Sequence, residues 1–109
     1  MRTAGNLVDD HALGSIEYAV AHLGARLIVV LGHQRCGAVA AAMASDTAPG
    51  HVQSLVRDIQ PAVQAVKGKQ GDATDLAIAE NARLMADKIR HRRRPWRPRE
   101  GCPHYSCRL

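Results

Sequence analysis

Phenylalanine is absent from this sequence, and tryptophan and tyrosine together make up 3% of its 109 residues. Any core must therefore be assembled from Ala, Val, Leu and Ile, which favours helices packed on a sheet over an aromatic-rich β-sandwich. Long apolar runs are also missing. Nothing approaches the roughly 20 residues that span a bilayer, and the N-terminus MRTAGNLVDD lacks the basic-then-apolar order of a secretory signal. These absences point to a soluble, cytoplasmic protein with no membrane segment. Cysteine is scarce and odd in number: Cys36 stands far from Cys102 and Cys107. A secreted disulfide framework fits poorly, which leaves Cys36 as a metal ligand or a free thiol.

The net charge of +5 resembles a nucleic-acid signature until it is divided along the chain. Residues 1–90 hold nine Lys/Arg and nine Asp/Glu, whereas residues 91–109 hold six Arg and one Glu. The whole excess lies in the tail. The body has no basic bias, which argues against a nucleic-acid surface, and six arginines without a folded scaffold offer only nonspecific, salt-sensitive attraction.

What is present reads as one small α/β domain. Ser15 can cap a helix, with Glu17 at the positive end of its dipole. SIEYAVAHLG then places Ile16, Ala19, Val20 and Leu23 on one face, and Gly24 offers a stop. RLIVVLG follows with five consecutive apolar residues, Leu27 to Leu31, as expected of a strand covered on both faces. After a short loop, CGAVAAAMA is rich in helix formers. HVQSLVRDIQPAVQAVKG sets Val52, Leu55, Val56, Ile59, Val63 and Val66 at helical spacing, with Pro61 expected to kink or divide the helix. GDATDLAIAENARLMADKIR is a further amphipathic helix with Ile78, Ala82, Met85 and Ile89 on its stripe. The order suggests a partial parallel β-sheet flanked by helices over residues 1–90. From His91 the pattern ends in HRRRPWRPREGCPHYSCRL, a basic Pro/Arg-rich tail over residues 91–109 that reads as disordered.

The chemistry concentrates in VVLGHQRCGAV, residues 29–39, where His33 and Cys36 follow the end of the strand. Ligand sites of α/β sheets usually form at this edge. Imidazole nitrogen and thiolate sulfur are good zinc ligands, and a helix N-terminus favours the thiolate. The spacing alone leaves a second reading open, in which Cys36 packs as a small apolar residue and His33 is a loop histidine.

Four segments occur in an order and spacing that resemble the β-class carbonic anhydrases: RTAGN at 2–6, GSIEYAV at 14–20, LIVVLGHQRCGAV at 27–39 and ENARLMADKIR at 80–90. The resemblance covers residues 2–90, and GHQRCGAV is its most specific part. It implies that His33 and Cys36 are two zinc ligands and that Gly37 borders the substrate pocket. The implied reaction is reversible hydration of carbon dioxide to bicarbonate and a proton. Zinc would supply hydroxide by lowering the pKa of bound water to about 7. The resemblance further implies a homo-oligomer, or association with a full-length relative.

The chain departs from the family pattern at both ends. The upstream C-x-D-S-R segment, with the other two protein ligands, would fall before Met1, and two ligands are fewer than the three of an open catalytic zinc site. This leads to two expectations: that Met1 is an internal methionine, and that a reading-frame change near residue 91 replaced the family's last helix and strand. Asp9, Asp10 and His11, in an expected loop, and Cys102 with Cys107 are the substitute ligands available in the chain. The rival reading is a non-catalytic remnant with weak or no zinc binding.

Overall fold

The computed structural model describes residues 1–91 and the backbone of residues 104–108. A single 3-10 turn, Ala4–Asn6, leads into helix α1 (Asp10–His22), strand β1 (Leu27–Leu31), helices α2 (Gly37–Ala44), α3 (Val52–Val66) and α4 (Ala73–His91), and strand β2 (His104–Arg108). The strand expected at Leu27 to Leu31 has those bounds, and α2, α3 and α4 lie where helical spacing placed them.

Helix α1 starts a turn earlier than Ser15. Asp9 is its N-cap, and its carboxylate accepts from the Ala12 amide at 2.8 Å. The Ser15 hydroxyl instead donates to the His11 carbonyl inside the helix. Gly24 does end α1: its φ is +70°, and the Ala25 amide reaches back to the Ala19 carbonyl at 3.1 Å. Pro61 does not divide α3, which runs unbroken through it. The proline ring stands on the exposed side, while Val56, Ile59, Ala62, Val63 and Val66 are buried along the other. That burial outweighs one lost backbone hydrogen bond.

Helix α4 joins two apolar clusters. Its first half contributes Ala77 and Ile78 to a cluster with Cys36, Val39 and Ala42 from the α2 region and Val56, Ile59, Val63 and Val66 from α3. Its second half contributes Ala82, Met85, Ala86 and Ile89 to a cluster with Val8, Ala12, Leu13 and Val30. With no phenylalanine to fill space, aliphatic side chains form both, and Ile59, Val39 and Val56 are the largest fully buried apolar ones.

Strand β1 pairs in parallel with β2, Leu27 opposite His104 and Leu31 opposite Arg108. Strand β2 falls within the basic stretch 91–109, of which residues 92–103 and 109, and with them most of the segment expected to be disordered, lie outside the described residues. The expectation that β1 is covered on both faces is corrected. Val30 is buried on the side of α4, but Leu27, Val29 and Leu31 are 59%, 41% and 62% exposed. Among the described residues no element packs on that second face.

Candidate metal centre

Strand β1 ends at Leu31, and the chain must turn sharply between Gly32 and Gly37 to start α2. Arg35 makes that turn in the left-handed region, at φ +54°. A side chain there is strained, and such strain is tolerated only where surrounding structure imposes it. The consequence is that Cys36, next in the chain, is the N-cap of α2 with extended backbone, and its carbonyl accepts from the Ala40 amide at 2.9 Å.

His33 is exposed, and its Nδ1 lies 3.1 Å from the Gln34 carbonyl oxygen. A carbonyl can only accept, so Nδ1 is the donor in this contact, and it is Nε2 that a neutral ring would offer to a metal. Cys36 has the opposite setting: it is 4% exposed and belongs to the apolar cluster between α2, α3 and α4. Gly37 opens α2 on the exposed side, and a Cβ built there would meet nothing within 4 Å. The loop thus presents an imidazole and an open backbone to solvent, with a thiol directed by burial into the fold.

Among the described residues no three His, Cys, Asp or Glu side chains come together as a metal-holding group. Two donors do not make a zinc site, and the described residues by themselves do not fit the metal. The substitutes do not mend this. Of the three residues expected in a loop, Asp10 and His11 lie in the first turn of α1, and Asp9, just ahead of the helix, spends its carboxylate on capping it. Cys102 lies outside the described residues, and Cys107 is placed in β2 opposite Val30.

Sequence reasoning missed two further features at this locus. The strained Arg35 carries no compositional sign, since an arginine is not a residue type chosen for positive φ. The Ala4–Asn6 turn lies directly behind the loop: a Cβ on Gly5 would come within 3.5 Å of Ala38 Cβ. The turn is tied to α4 by Asn81, whose Nδ2 donates to the Gly5 carbonyl at 2.7 Å. Asn81 was visible in the sequence only as part of the ENARLMADKIR segment.

A family model described as carbonic anhydrase matches residues 1–95. Carbonic anhydrase 2 of Mycobacterium tuberculosis is 52% identical over 67 residues, covering 58% of this chain and 32% of that protein. The carbonic anhydrase of Mycolicibacterium smegmatis is 45% identical over 67 residues, with the same coverage of 58% and 32%. The matched stretch thus spans about a third of the length of these curated relatives. A strand handing over to a helix through His33 and Cys36, together with a family match along most of its length, places this chain in the β-class carbonic anhydrase family.

Proposed function

We propose that this chain serves the reversible hydration of carbon dioxide to bicarbonate and a proton, as part of a zinc-dependent carbonic anhydrase of the cytoplasm. The observation that carries the reading is the family match over residues 1–95, which includes the His33–Cys36 loop. In this reading His33 and Cys36 provide two zinc donors, and the remaining donors come from outside the described residues. Gly37, with open space beside it, borders the pocket for a small apolar substrate. Strand β1 belongs to a wider parallel sheet, and the exposed Leu27, Val29 and Leu31 face is covered in an oligomer, by a second copy or by a full-length relative. No described helix is long and apolar enough to cross a membrane.

One observation favours a second reading, a remnant without activity: among the described residues no third donor joins His33 and Cys36. Zinc per chain on purified, tag-free protein, measured beside a His33→Ala, Cys36→Ala variant, separates the two, together with stopped-flow carbon dioxide hydration. Near one zinc per chain, lost in the variant, with a rate above that of free zinc, supports the enzyme. No zinc, or a rate no better than free zinc, overturns it for this chain and leaves the remnant.

A further inference from the structure

Two buried side-chain atoms lack a hydrogen-bond partner among the described residues, and both belong to the joint between the Ala4–Asn6 turn and α4: Nδ2 of Asn6 and Oδ1 of Asn81. One is a donor and the other an acceptor. The Asn81 side chain is 0% exposed, and its amide has one acceptable orientation. The Gly5 carbonyl takes a proton from Nδ2 at 2.7 Å, and reversing the amide would set two oxygens against each other. Oδ1 is therefore turned away from Gly5, still in need of a donor. Asn6 follows Gly5 directly, and its backbone is held at φ +45° with its amide on the Thr3 carbonyl at 3.1 Å. Leaving both groups unpaired inside a protein is costly, and buried polar atoms are almost always satisfied by protein or by water.

We propose that Asn6 Nδ2 and Asn81 Oδ1 form an internal hydration site at this joint, holding one water molecule that accepts from Asn6 and donates to Asn81. Water is the guest whose chemistry fits, because it is donor and acceptor at once and bridges groups of this kind. Asn81 is the one buried polar or charged residue among those described, so no buried charge is present to hold an ion. The bound water ties α4 to the turn that backs the start of α2. The inference is independent of the chemistry proposed for His33 and Cys36.

Two measurements on the full chain test it. The first is water-to-protein magnetisation transfer by NMR, read at the side-chain amide protons of Asn6. Cross-peaks of the sign given by a long-lived water are expected; their absence, with the Asn6 and Asn81 amides in direct contact, overturns the proposal. The second is a cycle of Asn6→Gly, Asn81→Ala and the double variant in urea unfolding, glycine being chosen because it accepts positive φ. The double variant is expected to lose less than the product of the single losses, by about twofold or more in the unfolding constant. Strictly multiplicative losses overturn it. Should Asn81→Ala fail to fold, the NMR result on the unmodified chain decides alone.

Discussion

Gly5 and Ile59 touch so closely that a methyl group on the glycine would stand 2.8 Å from Ile59 Cδ1. The contact matters because Ile59 is fully buried at the centre of the α2–α3–α4 cluster. Gly5 also has φ +63°, which an L side chain resists. Gly5→Ala is therefore expected to destabilise the chain by about 2 kcal/mol or more, combining left-handed strain with overpacking. Gly14 provides the contrast, since it lies within α1 with nothing within 4 Å of its would-be Cβ. Gly14→Ala should stabilise by about 0.5–1 kcal/mol. Urea unfolding of the two variants checks both signs.

The strain at Arg35 gives a second test. Its φ of +54° costs about 1–2 kcal/mol for a residue with a Cβ, and glycine recovers most of that while losing some to chain entropy. Arg35→Gly should raise stability by a few tenths to about 1 kcal/mol. A loss of stability in thermal or urea unfolding would mean that the arginine side chain itself holds the loop.

Cys36 is buried at 4% exposure, so reagents should reach it only when the fold opens. In the metal-free chain, iodoacetamide labelling of Cys36, followed by mass spectrometry of its peptide, is expected to be slow and to rise with urea in parallel with unfolding. Labelling as fast as in denatured protein would contradict the burial. Cys36→Ser should also be more damaging than Cys36→Ala, by about 1 kcal/mol, because it puts a hydroxyl among Val39, Val56 and Ile59.

Acid should weaken α4 through Glu80. Arg83 holds it in a two-point contact at 2.7 and 3.0 Å, and this hydrogen bonding lowers the Glu80 pKa below its usual 4.5 against the opposing pull of burial. A carboxylate whose native pKa is depressed contributes stability that is complete above its unfolded value. That contribution is lost as pH falls from about 4.5 through the lower native value. Arg83→Met should therefore reduce stability at neutral pH and flatten its decline in acid, as read by urea titrations from neutral to strongly acidic pH. Parallel curves for variant and parent would show that the pair adds nothing. Arg83 also meets Asp87 at 2.6 Å, so Glu80→Gln serves as the cleaner companion variant.

Local rules determined much of what the sequence showed. Five apolar residues before Gly32 make a strand by themselves, Gly24 stops α1 by its own freedom at positive φ, and the stripe of Ile78, Ala82, Met85 and Ile89 fixes which side of α4 is buried. His33 and Cys36 were placed at a strand-to-helix junction by the same short-range signals. The α1 start was misplaced because Ser15 and Asp9 are both capable caps, and the choice depends on which turn can pack Ala12 and Leu13 into the second cluster.

Tertiary structure decided the rest, because the deciding contacts join residues far apart in the chain. Apolar composition could not reveal that β1 meets α4 with Val30 while Leu27, Val29 and Leu31 stay exposed. Cys36 is a buried thiol because α3 closes over it, and His33 stays in solvent although it is three residues away. Asn81 is an ordinary polar residue on a helix until the fold brings Gly5, 76 positions earlier, to its amide. Periodicity reports which face of one element is apolar; which faces meet, and which polar atoms are sealed between them, is set by long-range packing.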